Sequence, residues 1–406
     1  AWPFLLLLSK ARKVKRMAAK LSGATQKTDT LPSSDSGGEH NSSEDHNSSA
    51  AQSGESRRWR RLWPGLTLLG VFLFVLDLAY GSVRIPFVDV LFALTGQSQN
   101  QSWNTIVQIF RLPKAITALL AGAALAVSGL ILQSIFRNPL AGPDSLGISS
   151  GASIGVAILM LSTDMTGSSL FGSLSVPGYA SLVLAASLGS ALILVLILLL
   201  SRRFEHGVTL LIIGILVGYF AGSIVSLIVY FGSPLKVQLY LGWTYGSFSG
   251  VRLNELPIFA GAVCVGLLLT LRSSKALNAF AVGEEFALTL GVQVRRERTR
   301  LLAAAAILAG SVTAFCGPVA FLGIAAPQAA RRLFQSSNHH TLLPGSILVG
   351  LIIALTADIA SQLPQGGAVL PINPLLALIG APVILSMFLR TGDSSGSRSP
   401  GAGSLP

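Results

Sequence analysis

From residue 62 to residue 390 the chain alternates long apolar runs with short polar or basic breaks. The runs fall at 64–83, 112–135, 147–163, 178–200, 207–230, 255–271, 301–317, 319–334, 344–362 and 373–390. About 20 apolar residues in a helix rise through roughly 30 Å, the thickness of a bilayer's hydrocarbon core. The pattern therefore predicts an all-α polytopic membrane protein with about ten transmembrane helices. The stretch 301–334 is read as two spans, because Gly317 and Pro318 make a turn and a single helix of that length would exceed one crossing.

Residues 1–61 follow no such pattern. Ala1 to Leu8 is apolar but short, a basic cluster follows, and residues 21–56 are almost entirely Ser, Thr, Asn, Asp, Glu and Gly. Such a stretch buries too little apolar surface to offset the entropy of ordering, so a disordered N-terminal extension is expected. Met17 opens MAAKLSG and is a candidate natural start. The alternative, a signal peptide, fits poorly because the positive charges follow the apolar run instead of preceding it. Residues 62–390 form the membrane domain, and 391–406 are expected to be a disordered tail.

Composition agrees with this reading. Apolar residues make up 51% of the chain and charged residues 11%, against about 25% charged in soluble domains. The net charge of +12 raises the possibility of nucleic-acid binding, but no Lys/Arg stripe interleaves with aromatics. The basic residues lie between the runs. With the N-terminus in the cytoplasm, the inner loops collect the arginines at 57–61, Arg137, Arg202, Arg203, Arg272, Lys275, the cluster at 295–300, Arg331, Arg332 and Arg390. The outer loops hold only Arg84, Arg111, Lys114, Lys236 and Arg252. That bias follows the positive-inside rule for an even number of spans, with both termini cytoplasmic.

Catalytic chemistry is not expected. Cys264 and Cys316 read as small packing residues, and the histidines at 40, 46, 206, 339 and 340 make no ligand pattern. No phosphate-binding GxxxxGK[ST] loop occurs, so this chain is expected to hydrolyse no ATP and to hold no cofactor or metal.

Four segments carry candidate function. In AGAALAVSG, Gly122, Ala126 and Gly129 lie near one helix face, where small residues let helix backbones approach closely. From Arg137 to Gly155, Asn138-Pro139 opens a turn, Asp144 is positioned to cap the following amides, and Gly147 and Gly151 enter the next span. This is either a tight hairpin or a broken segment beside a pathway. Residues 231–250 hold Pro234, Tyr240, Trp243 and Tyr245 at helical or interfacial spacing. They read as an interfacial anchor or as a short re-entrant helix at a pore mouth. The polar stretch 272–300 reads as two short helices broken at Gly283. Its apolar Leu277, Phe280, Phe286, Leu288 and Leu290 are expected to be knobs for a partner's groove. Asp358 is the clearest acid inside a span, either a buried acceptor joining helices or a functional carboxylate. A proton-moving role requires a second deep acid or a basic partner; Asp77 lies near an outer end, and no convincing relay emerges.

These segments together resemble the FecCD or BtuC-like permeases, the membrane subunits of ABC importers for iron–siderophores, haem and vitamin B12. The resemblance rests on RLPKAITALLAGAALAVSGLILQSIFRNPLAGPDSLGISSGA at 111–152, LGWTYGS at 241–247, LNAFAVGEEFALTLGV at 277–292, CGPVAFLGIAAPQAARRL at 316–333 and LPINPLLALIGAPVIL at 370–385. It implies two permease subunits, copies or paralogues, around a central path. It also implies two cytoplasmic ATPase subunits, an extracytoplasmic solute-binding protein and a place in the inner membrane. It assigns Ala276, Leu277, Phe280, Gly283, Glu284, Glu285, Phe286, Leu290 and Gly291 to the ATPase-coupling loop. Asn138, Pro139, Gly147, Gly151, Gly214, Gly218, Gly222, Pro234, Trp243, Gly246 and Ser247 fall to the path or its gates, with the three glycines of 207–230 allowing close approach. Gly122, Gly129, Gly317, Pro318, Pro327, Arg331, Asp358, Pro371, Gly380 and Pro382 are structural. Two departures from common family patterns, Gln328 after Pro327 and Asn373 in LPIN, resemble siderophore permeases more than cobalamin permeases, with haem between. The rival reading is a secondary transporter driven by an ion gradient.

Overall fold

The computed structural model describes residues 62–81, 83–166, 178–204, 207–363 and 369–396. The N-terminal extension with Met17, the arginines at 57–61, His206 and the end of the chain lie outside the described residues.

The described chain is all helical. In order the helices are α1 (Leu62–Ala79), α2 (Phe87–Leu94), α3 (Gln101–Phe136), α4 (Ile148–Thr166), α5 (Gly178–Arg203), α6 (Gly207–Tyr230) and α7 (Pro234–Thr244). Then come α8 (Leu256–Arg272), α9 (Ser274–Val282), α10 (Glu284–Thr289), α11 (Val294–Cys316), α12 (Leu322–Phe334), α13 (His339–Ser361) and α14 (Ile372–Gly396). A helix occupies each apolar run read from the sequence. Among the described residues, however, only six are long and apolar enough to cross a membrane, or seven if the bent pair α8–α9 counts as one. The remaining runs give shorter apolar stretches at Ile148–Leu161 and Ile372–Pro382, and α12 has only 13 residues and carries Arg331 and Arg332 in its last turn. Polar residues at the ends of these runs shorten their apolar length below a full crossing. At the chain's end, α14 continues past residue 390, where a tail was expected. Adding residues to an existing helix costs little compared with starting one.

The centre of the bundle is α3, packed against α11, α12 and α13, while α4 packs on α5 and α6. Apolar attraction between helices is weak in lipid, so close contact decides the packing. Gly122 sits against Gly350 of α13, and Gly129 against the carbonyl of Gly323 in α12. A Cβ at Gly129 would overlap that carbonyl. By contrast α6 fully buries only Leu210, Gly214 and Ala221, and a face with Val208, Ile212, Leu216 and Phe220 stays exposed.

The entry of α3 differs from the sequence reading. Its first residue is 101, not 112, so Arg111 and Lys114 stand inside a helix instead of an outer loop. Pro113 lacks an N–H and crowds the carbonyl of the preceding turn. The helix absorbs this by widening to π geometry at Ile106–Arg111 immediately before it. Likewise α11 begins at Val294 and α13 at His339. The arginines at 295–300 and the two adjacent histidines thus belong to helix starts, not loops.

Candidate functional site

The segment 272–292 folds as a sharp elbow. The axes of α8 and α9 meet at 61°, and Gly283 separates α9 from α10. Burial divides its apolar residues into two groups. Ala276, Leu277 and Phe280 are buried in the chain's own core. Leu277 and Phe280 are therefore not docking knobs, which corrects the sequence reading. A nine-residue amphipathic helix lying on a bundle must turn its apolar stripe inward. The exposed apolar residues are Val282, Phe286, Leu288 and Leu290, with Glu285 beside them. Gly291 turns the chain in the left-handed region, with open space around it. Glu284 pairs with the buried Arg298, whose Nη1 also donates to the Phe204 carbonyl at 3.5 Å.

A relay of hydrogen bonds, buried at His339 and Ser134, anchors this elbow, and the sequence reading missed it. Asn278 Oδ1 accepts from the His339 backbone N–H and faces His339 Nδ1, both at 2.8 Å. Asn278 Nδ2 donates to Asn338 at 3.1 Å. His339 Nε2 meets Ser134 Oγ at 2.7 Å. Because the backbone N–H needs an acceptor, the Asn278 oxygen is fixed in place, and it requires a proton on Nδ1. The elbow is thereby fastened to the end of α3 and the start of α13. The only sequence hint is a His flanked by Asn338 and His340, which carries no spacing signal.

The turn after α3 lies beside the elbow. Arg137 caps α3 in the left-handed region, and Asn138 Oδ1 accepts from the Leu140 N–H at 2.9 Å. Pro143–Leu146 form a 3-10 turn. Asp144 makes no cap to the backbone there; its Oδ1 accepts from Ser149 Oγ at 2.8 Å. A longer reach to a hydroxyl one turn on replaces the expected amide contact. Gln328 donates to Gln133 and to the Pro139 carbonyl, each at 3.0 Å. A cavity of about 370 Å³ lies here, with Arg137, Pro139, Ala281, Gln328 and Arg331 in its wall. The glycines of α6 behave unequally. A Cβ at Gly214 would lie 2.5 Å from the Ser145 carbonyl, one at Gly218 would make ordinary contacts, and one at Gly222 would meet nothing. Within the subunit, Gly222 makes no close approach. The left-handed Gly147 faces Gly214 and Gly218, while Gly151 packs on α5 at Gly189.

At the other end of α6, α7 is a short helix with Pro234 in its first turn. Its end locks onto the turn between α11 and α12. Ser247 N donates to the Cys316 carbonyl at 2.8 Å, and a Cβ at Gly317 would lie 2.5 Å from the Trp243 carbonyl. Gly246, also left-handed, abuts Pro318. Asn373 staples the assembly by donating to the Thr244 carbonyl at 3.0 Å and accepting from the Ala320 N–H at 2.9 Å. Gly380 lets α14 pass Phe321. Pro327 and Pro382 lie within α12 and α14, and Pro371 immediately precedes α14. Tyr240, read as an interfacial residue, is buried, because α7 lies on α4. Leu235, Gln238, Leu239, Leu241, Gly242 and Tyr245 line a hollow of about 750 Å³. Cys264 is exposed, not packed, whereas Cys316 is buried.

Asp358 has the partners that the sequence did not reveal. Lys114 Nζ lies 2.8 Å from its Oδ2. Asp77, 2% exposed, interacts with both and accepts from Gln362 at 3.2 Å. Arg111 donates to the carbonyls of Leu78 at 2.8 Å and Ala79 at 2.9 Å, and to that of Val83. It closes the end of α1. Two acids and two bases thus tie α1, α3 and α13 in one buried cluster.

Fold and sites define a polytopic helical membrane protein whose described residues include no group of three or more His, Cys, Asp or Glu able to hold a metal ion. The FecCD transport family matches residues 68–390, and the chain belongs to that family. It is an ABC importer permease subunit. Among its relatives is the vitamin B12 import system permease protein BtuC of Klebsiella pneumoniae subsp. pneumoniae. The two are 33% identical over 337 residues, which span 83% of this chain and 96% of that protein. The hemin transport system permease protein HmuU of Yersinia pestis is also 33% identical over 337 residues, with 81% and 97% coverage. A solved ABC transporter of metal-chelate type, in an inward-facing conformation, superposes with a TM-score of 0.70 at 28% identity, covering 82% of this chain and 99% of that one.

Proposed function

We propose that this chain forms half of the translocation path of an ATP-driven importer of metal chelates in the inner membrane. Its ten apolar runs would all lie within the membrane, and both termini would face the cytoplasm. The observation that carries the reading is the elbow α9–α10. It presents Val282, Phe286, Leu288 and Leu290 outward while Asn278 and Glu284 bind it to the bundle. That is the form needed to receive force from a separate ATPase. The work would pass along rigid helices as a change of angle between two permease subunits, exposing the path first to one side and then to the other. A solute-binding protein would deliver the chelate at the α7 side, where the hollow of about 750 Å³ lies.

Among chelates, the sequence likeness favours a ferric siderophore, with haem and cobalamin as the competitors. Asn373 and Gln328, which carry that preference, contact neighbouring helices. They support it through family likeness and not through contact with a substrate. The relatives named above import vitamin B12 and hemin, so the substrate is a matter for titration. The test is uptake into vesicles holding this chain, its ATPase and its binding protein. ATP-dependent uptake that survives collapse of the proton gradient is expected. Uptake that follows the gradient without ATP would establish the secondary-transporter alternative. Titrating the binding protein with ferric siderophores, haem and cobalamin separates the three chelates.

A further inference from the structure

The meeting point of α8, α9 and α11 carries a charged groove that neither the path nor the docking face uses. A cavity of about 330 Å³ opens between Arg272, Ser273, Lys275, Gln293, Arg296 and Glu297. Its one carboxylate is already engaged: Glu297 Oε2 accepts from Ser273 at 2.6 Å and Oε1 pairs with Arg300 at 2.5 Å. Arg272, Lys275 and Arg296 are exposed. Among the described residues none of the three has a carboxylate within 4.0 Å. The first turn of α11 opens on the same rim at Gln293, adding the positive end of a long helix. The groove is thus built for a negatively charged group.

What kind of anion it takes follows from α8. Val265, Leu268 and Leu271 are exposed and apolar. Cys264, Leu268 and Arg272 recur every fourth residue, so they share one face of the helix. An apolar face therefore leads directly into the cationic rim. A ligand with an anionic head and a long apolar body satisfies both surfaces at once, whereas a small soluble anion leaves the α8 face unused. We infer that this groove binds the phosphodiester headgroup of an anionic phospholipid, with an acyl chain lying along Leu268 on α8. Guanidinium forks suit phosphate oxygens, and each cation near an anionic membrane surface contributes on the order of 1 kcal/mol. Arg272 and Lys275 flank the 61° bend, and Arg296 lies across from them on α11. One bound headgroup would brace the elbow that receives the ATPase. This consequence for coupling rests on the proposed function, but the groove does not.

The test is a lipid titration of the purified, detergent-solubilised chain by native mass spectrometry, with phosphatidylglycerol against phosphatidylcholine as probes. The wild type is expected to retain phosphatidylglycerol preferentially. R272Q/K275Q/R296Q is expected to lose affinity for it on the order of a hundredfold, about fivefold per cation removed. R332Q, which removes an exposed charge outside the groove, is expected to leave affinity within about twofold. The single variant R296Q serves if the triple variant does not elute as a folded monodisperse species. Equal retention of the two lipids, or undiminished phosphatidylglycerol binding in the variants, overturns the inference. So does displacement of phosphatidylglycerol by inorganic phosphate at matching concentration, since the anion would then come from solution. The measurement needs neither ATPase nor known sidedness, so failure of the importer reading appears in the uptake assay and not here.

Discussion

Removing either partner of the Lys114–Asp358 pair should cost far more than replacing both. Their charged atoms are 2.8 Å apart, and the side chains are 12% and 2% exposed. At an effective dielectric constant of about 20 the gross attraction is roughly 6 kcal/mol, most of it offset by desolvation. Deleting one partner strands a buried charge, at a cost of about 3–5 kcal/mol. The neighbourhood makes the two deletions unequal. In D358A, Lys114 still has Asp77 beside it, so the loss should fall near 3 kcal/mol. In K114A, Asp77 and Asp358 face each other with Arg111 reaching only Asp77, and the loss should approach 5 kcal/mol. K114M/D358L, apolar at both positions and leaving Asp77 with Arg111 of the same cluster, should stay within about 1 kcal/mol of wild type. The assay is thermal unfolding of the purified chain in detergent, read by tryptophan fluorescence and by the fraction surviving on size exclusion. At about 2 °C per kcal/mol the midpoints should fall by roughly 6 °C, 10 °C and less than 2 °C in that order. A double variant that falls as far as the two singles combined would show that the groups do not interact and refute the reasoning. A double variant that is stable but transports nothing would assign the cluster to the mechanism instead of the scaffold.

The elbow's two apolar groups should separate by assay. F286A and L290A are expected to weaken co-purification with the ATPase at least tenfold with little change in unfolding, while L277A, fully buried, should lower stability by about 2–5 kcal/mol. N278A removes the acceptor for the His339 backbone N–H; it should leave ATPase binding intact but lower transport per ATP hydrolysed, measured in reconstituted vesicles. G129L should abolish accumulation of folded protein because its side chain meets the Gly323 carbonyl, whereas G222L, which meets nothing within the subunit, should leave monomer stability unchanged within about 0.5 kcal/mol, as read by the same unfolding assay.

Much of this architecture was legible because apolar run length is a strong signal. The runs located a helix each time, Gly283 and Gly317-Pro318 marked real breaks, and the small residues of α3 signalled close packing. Three things were not legible. Helix starts extended into charged residues, as at Val294, because polar first turns carry no apolar periodicity. The partners of Asp358 were hidden because Lys114 followed a proline and read as loop; only the π-turn before it shows how the helix continues. Burial within the elbow was ambiguous, since Leu277 and Phe286 look alike in sequence and are told apart only by which face of a short helix meets the bundle.

The same contacts suggest how a push at the elbow would travel. Elements that transmit force must be stiff, and stiffness here follows the small-residue contacts. Gly122 against Gly350 and Gly129 against Gly323 hold α3, α12 and α13 at backbone distance, and the charge cluster adds α1. The elbow is fastened to that block through Asn278, His339 and Ser134, so displacing α9 moves the block and not merely a loop. On the other side, α6 meets the 3-10 turn at Gly214, packs along α4 and leaves its opposite face exposed. Packed cores shift between discrete arrangements and do not deform smoothly. The compliant seam is therefore expected between the α3 block and α6, at the turn 137–147. That turn joins α3 to α4, and α4 in turn carries both α5 and α6. A short thiol-reactive cross-linker joining S145C to G218C, where a Cβ makes only ordinary contacts, would bridge the seam. It should arrest transport while leaving ATPase binding and the packing of α3 against α12 and α13 untouched. Undiminished transport with that cross-link formed would move the seam elsewhere.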